Sequence, residues 1–149
     1  MERGATLGAI SSLSAISYGD LIQAALAARV RAHARYSGFR VGAALEDLAG
    51  RHHTGCNIEN ATFGLTICAE RVAVFKAISE GARDFRRLAI AADTDQLTPP
   101  CGACRQILWE FCGDIEIVLA NPQGKVETLR LKDLLPRAFD GSFLYNPNG

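Results

Sequence analysis

The 149-residue chain carries 16 basic and 16 acidic side chains and no net charge, which excludes the cationic grip that nucleic acids require. With 48% apolar and 21% charged residues, it has enough apolar mass for a core and too little bias for disorder. No apolar stretch approaches the roughly 20 residues of a membrane span. Residues 1–17 lack the apolar centre of a signal peptide and read as a flexible leader on a cytoplasmic protein, leaving 18–149 as one domain.

The spacing of Ile22, Leu26, Val30 and Ala34 predicts a helix from Ser17 to Arg35, capped by Ser17 and broken at Tyr36-Ser37-Gly38. Val41–Asp47 and Arg51–Asn57 read as a hairpin, and Cys56–Leu65 as irregular chain. A second helix covers Ile67–Glu80 and ends at Gly81, the residue type that tolerates a left-handed cap. Arg87–Ala92 is a short apolar strand of the kind buried on both faces. A loop leads to a third helix, Gly102–Phe111, then a buried strand Ile115–Ala120, a turn at Asn121–Gly124, a strand Lys125–Leu129 and a short helix Leu131–Leu135. Helix–strand alternation through the middle implies a parallel pair with crossover helices, while the hairpin makes the sheet mixed. The expected fold is α/β, a three-layer α/β/α sandwich around a mixed five-stranded sheet.

The five cysteines are an odd number and cannot all pair, so metal binding or chemistry is the better reading in a reducing compartment. Cys101 and Cys104 form a C-x-x-C at the start of the third helix, where residues three apart share a face and the helix terminus favours thiolates. Such a pair fits a redox dithiol or a soft metal such as zinc. Cys68 opens the second helix, and the two helix starts flank the same strand, at the sheet edge where open α/β sheets keep their sites. Three thiolates leave one zinc position for water, as in a catalytic site, unless Cys56, Cys112, His33, His52 or His53 closes it. Glu70 falls beside this site as a proton carrier or as an ordinary first-turn glutamate. Arg71 either faces the sulfurs or is a solvated helix arginine.

These residues resemble the zinc deaminases, whose signature is a His-x-Glu or Cys-x-Glu followed by Pro-Cys-x-x-Cys. Here the matching runs are Cys68-Ala69-Glu70 and Pro100-Cys101-Gly102-Ala103-Cys104. More specifically, the chain resembles the small homotetrameric cytidine deaminases from about Tyr18 to Phe139. The runs that carry the likeness include Tyr36-Ser37-x-Phe39, Val41-Gly42-Ala43-Ala44-Leu45, Gly55-Cys56-Asn57-Ile58-Glu59-Asn60-Ala61, Cys104-Arg105-Gln106 and Leu134-Leu135-Pro136.

The resemblance implies hydrolytic deamination of cytidine and 2′-deoxycytidine with one Zn²⁺ per chain, in pyrimidine salvage. It assigns zinc to Cys68, Cys101 and Cys104, and proton transfer between water, the pyrimidine N3 and departing ammonia to Glu70. Arg71 would support the thiolates. Asn57 and Glu59 would bond the ribose 3′-hydroxyl, Phe39 would pack on the base, and Ala69 would present backbone to it. Ala61 and Phe139 would reach a neighbouring subunit's site in a homotetramer with shared active sites. Arg40 and Phe63 stand where the family usually has proline and tyrosine. A deaminase of modified cytosine, blasticidin-type or N4-substituted, is the alternative; the Asn57-x-Glu59 pair favours an ordinary ribose. Zero net charge argues against an enzyme that edits nucleic acid, so the expected partner is a small nucleoside with neither nucleic acid nor membrane.

Overall fold

The computed structural model describes residues 18–145. The expected leader at 1–17 and the Ser17 cap lie outside the described residues. Residues 18–29 are helical (α1). They are followed by β1 (Val41–Asp47), β2 (His52–Cys56), α2 (Ala69–Ser79), β3 (Phe85–Ala92), α3 (Gly102–Cys112), β4 (Glu116–Ala120), β5 (Val126–Arg130) and α4 (Leu131–Leu134). Short 3₁₀ turns occupy Phe63–Leu65 and Gly141–Phe143. Among the described residues, no helix is long and apolar enough to cross a membrane.

The five strands form one sheet in the order β2-β1-β3-β4-β5. β3 and β4 pair in parallel, joined by α3 as the crossover, and the other pairings are antiparallel. The sheet is therefore mixed, as expected. Its two faces bury different sets of side chains, because successive strand residues point to opposite sides. Ala43, Leu45, Leu88, Ile90, Ile117 and Leu119 pack with α2, α3 and α4. Ala44, Ala89, Ala91 and Val118 pack under α1. The apolar run in β3 thus feeds both layers, which is why it shows no polar alternation.

Small residues set how closely the helices lie on the sheet. A Cβ at Gly42 would fall 2.0 Å from Ala25 O on α1, and one at Gly55 would fall 2.5 Å from Ala69 O on α2. Both helices rest on bare backbone at these points. At the far end of α2, Gly81 takes φ 98°, and its neighbour Ala82 returns an N–H to Ala77 O at 3.0 Å. This closes the helix as its sequence predicted.

Two expectations are corrected. The first helix stops at residue 29 rather than Arg35, and its last donors turn to i−3 carbonyls (Arg31 to Ala28 and Ala32 to Arg29, both 3.0 Å). His33 N–H then goes to Asn57 O at 3.0 Å, outside the helix. Its inward face is Leu21 and Ala25, both fully buried, while Val30 is 63% exposed. The segment after β2 is also less irregular than its Asn and Gly content suggests. Ile58 bridges His33 on one side and Ile67 on the other.

Candidate active site

Cys68 and Cys101 occupy the N-cap positions of α2 and α3, and Cys104 lies in the first turn of α3. α2 precedes β3 and α3 follows it, so both helix starts meet at the C-terminal end of that strand, as the sequence predicted. The three sulfurs all lie within 4.8 Å of one another, with Cys68 Sγ and Cys101 Sγ 4.0 Å apart. A tetrahedral zinc bonded to sulfur at about 2.3 Å places its sulfurs about 3.8 Å apart. The donor set and spacing fit one zinc ion per chain.

Among the described residues, no other His, Cys, Asp or Glu joins that group. The residues that might have closed it lie elsewhere. His53 is buried with Nε2 2.9 Å from Asp47 Oδ2, and His52 Nε2 is 3.6 Å from Glu46 Oε2. His33 lies in the segment after α1, outside that group. Cys112 packs against the core at the end of α3, where burial pushes its thiol up to about 12. Cys56 is half-buried on β2. Among the described residues the group thus offers three donors, the number that suits a catalytic rather than a structural zinc.

The electrostatics around the sulfurs favour a cation. Arg71 donates from a terminal guanidinium nitrogen to Cys68 Sγ at 3.5 Å. The Cys68 thiol falls to about 5, first through its hydrogen bond with Cys104 and then through Arg71. That same hydrogen bond, together with burial, drives the Cys104 thiol up. The Cys68–Cys104 pair thus shares a hydrogen bond whose proton a metal would displace. Glu70 is 5% exposed, and its Oε2 lies 3.6 Å from Cys104 Sγ. Burial pushes its carboxyl up to about 7, within reach of both protonation states near neutrality.

A cavity of about 240 Å³ opens over this cluster. Cys68, Ala69, Glu70 and Cys101 form one end, and Phe39, Asn57 and Glu59 line it farther along the chain's fold. Asn57 is buried and braces the wall, accepting from Val41 N–H at 2.9 Å and donating to Phe39 O at 2.7 Å. The described lining holds two carboxylates and no Lys, Arg or His.

Of the residues singled out in the sequence, Phe39, Asn57, Glu59, Ala69, Glu70, Cys68 and Cys101 line this cavity, and Cys104 lies beneath it. Ala61 and Phe139 do not line it within one chain. Ala61 is exposed, and Phe139 is 56% exposed, stacked on Phe143 at 5.5 Å between ring centroids. Thr66, Thr98 and Pro99 line the cavity without having been anticipated, as does Ser37, noted in the sequence but given no role. Threonine and proline in a loop carry no chemical signature; only the serine, two places before a cavity aromatic, offered one.

Comparison with known proteins shows the family. The family model of the cytidine and deoxycytidylate deaminase zinc-binding region matches residues 17–120. A cytidine deaminase of Halalkalibacterium halodurans is 51% identical over 120 residues, covering 80% of this chain and 91% of its own. The crystal structure of cytidine deaminase from Burkholderia pseudomallei superposes with a TM-score of 0.78 at 48% identity, covering 81% of this chain and 98% of that one. A blasticidin-S deaminase of Bacillus cereus is more distant, 29% identical over 104 residues and covering 64% of this chain and 74% of its own. A family model that spans most of the chain, and relatives about half identical to it, show that the chain belongs to the zinc-binding cytidine and deoxycytidylate deaminases.

Proposed function

We propose that the protein hydrolyses cytidine and 2′-deoxycytidine to uridine and 2′-deoxyuridine, releasing ammonia. The observation that carries this reading is Glu70, buried beside three convergent thiols at the floor of a cavity large enough for a nucleoside. Zinc, when bound by Cys68, Cys101 and Cys104, supplies a Lewis acid that makes water a nucleophile at neutral pH. Glu70 would take one proton from the attacking water and give it to the pyrimidine N3 as the remaining hydroxyl adds at C4. It would then carry the proton of that hydroxyl to the amino group, so that the C4–N bond breaks, the carbonyl forms and ammonia leaves. Burial of Glu70 is what lets its carboxyl hold a proton between these steps.

The remaining residues bind and orient. Phe39 packs on the base at the mouth, and Ala69 offers backbone groups to its edge. Asn57 and Glu59 bond the ribose 3′-hydroxyl. A cavity lining without basic side chains suits a neutral nucleoside rather than a phosphorylated one. Arg71 withdraws charge from the thiolates, which three sulfurs would otherwise leave net negative around zinc.

Ala61 and Phe139, outside their own chain's cavity, belong in this reading to the site of a neighbouring subunit in a homotetramer. A cytoplasmic setting, where five free thiols stay reduced, and a role in pyrimidine salvage complete it. The test is direct: Glu70→Gln should keep the fold and one zinc per chain while kcat on cytidine falls about 10²- to 10⁴-fold. Full turnover by that variant, or none by the zinc-loaded parent on either nucleoside, sinks the proposal.

A further inference from the structure

Glu59 lies on a segment with no helix or strand of its own, yet both oxygens of its carboxylate are held. Tyr36 N–H donates to Oε2 at 2.8 Å, and Ser37 N–H donates to the same oxygen at 3.2 Å. The Ser37 hydroxyl donates to Oε1. Its oxygen in turn accepts Phe39 N–H at 3.0 Å. The two backbone donors hold one oxygen and, among the described residues, the Ser37 hydroxyl alone holds the other, so the rotation of the carboxylate about its last bond is set from both sides. The hydroxyl bond is also the first of the causes that hold Glu59 below the usual glutamate range, so the group stays ionised. The segment beneath is equally constrained: Glu59 N–H reaches His33 O at 2.8 Å, and Ile58 pairs with Ile67 in both directions at 2.9 and 3.0 Å. With the backbone pinned, side-chain rotation is the remaining freedom, and the Ser37 hydroxyl restricts it together with the two backbone donors.

We infer that Ser37 is a positioning residue for substrate selection: through Glu59 it aims a carboxylate lone pair at the sugar and sets the preference for nucleosides that carry a 3′-hydroxyl. The inference rests on the placement of Glu59 at that hydroxyl proposed above. A pre-set acceptor saves the ordering cost that a free glutamate would meet on each binding event.

The test uses the zinc-loaded protein with cytidine and 3′-deoxycytidine as paired substrates. Ser37→Ala should lower kcat/KM for cytidine about tenfold, chiefly through KM, with kcat held within about twofold. On 3′-deoxycytidine the same variant should stay within about twofold of the parent. Ser37→Thr, which keeps the hydroxyl, should restore the preference. On a Glu59→Ala background, Ser37→Ala should add nothing further. If Ser37→Ala does not fold, Ser37→Cys keeps a weak donor at the same place and should show a partial loss confined to cytidine. Equal losses on the two substrates, or losses that add to those of Glu59→Ala, would overturn the role of Ser37 alone. A parent enzyme indifferent to the 3′-hydroxyl would overturn the placement of Glu59, and the inference with it.

Discussion

Gly55 tests the link between packing and metal. It lies on β2 beneath the first turn of α2, and an added Cβ would sit 2.5 Å from Ala69 O and 2.6 Å from Ala73 N. Both are backbone atoms, so no side-chain rotation relieves the clash. Contacts of this kind stay above 3.0 Å, so the first turn of α2 must lift by at least about 0.5 Å in Gly55→Ala. Overpacking of this sort costs about 1–3 kcal/mol, which in a domain of this size lowers Tm by roughly 2–12 °C. The same turn carries Cys68 and Glu70, and metal–ligand distances tolerate only about 0.2 Å. Zinc affinity should therefore fall at least about tenfold, and turnover about 10²-fold, beyond what the stability loss explains.

Gly42→Ala is the control, since its Cβ meets α1 on the opposite face of the sheet, 2.0 Å from Ala25 O. It should lower Tm comparably and keep one zinc per chain. Melting by circular dichroism, zinc titration and the cytidine assay read all three quantities. A Gly55→Ala protein with parental zinc affinity, or a Gly42→Ala protein that loses zinc to the same extent, would refute the reasoning.

Three other outcomes are expected. Cys101→Ala should lose stoichiometric zinc, whereas Cys112→Ala should keep it, read by metal analysis of the purified proteins, because only the former sulfur faces the cluster. Asp47 accepts bonds from Ala49 N, Arg51 N, Arg51 Nε and His53 Nε2, whose other nitrogen faces Glu80, and its carboxyl is held well below the ordinary 3.8, first by His53. The stability it contributes is present above pH 4 and is lost as the pH falls toward its folded value; Asp47→Asn should flatten that part of the acid-unfolding curve, followed by circular dichroism. Phe139→Ala should lose turnover with zinc unchanged, and dissociating and reassembling it with Glu70→Gln chains should restore activity to the mixture, at sites that take Glu70 from one chain and Phe139 from the other. Absence of complementation in verified mixed oligomers would remove Phe139 from the neighbouring site.

Much of this molecule was legible from local pattern. The apolar run of β3, the glycine stop after α2 and the paired cysteines at two helix starts each state their role within a few residues. What misled was non-local. The stretch from 30 to 35 has helix-forming residues, but His33 spends its N–H on Asn57 and its C=O on Glu59, more than twenty positions away. Local propensity has no view of such partners. The cavity wall at Thr66, Thr98 and Pro99 was hidden for a related reason: these residues contribute shape rather than reactive groups. Ser37 stood in a motif, but its bond to Glu59 crosses 22 positions and emerges only once the loop is folded.

The two helix starts have a thermodynamic consequence apart from chemistry. Cys68 and Cys101 are 33 positions apart, yet their sulfurs lie 4.0 Å from each other. An ion bound by both closes that stretch of chain, α2 and β3 included, into a loop. By the chain-entropy estimate used for covalent cross-links, such a closure disfavours the unfolded state by about 3.7 kcal/mol. The ion that supplies the reactivity therefore also staples the sheet's central strand to the helices on either side of it in sequence, so that the folded state and the competent site are selected together.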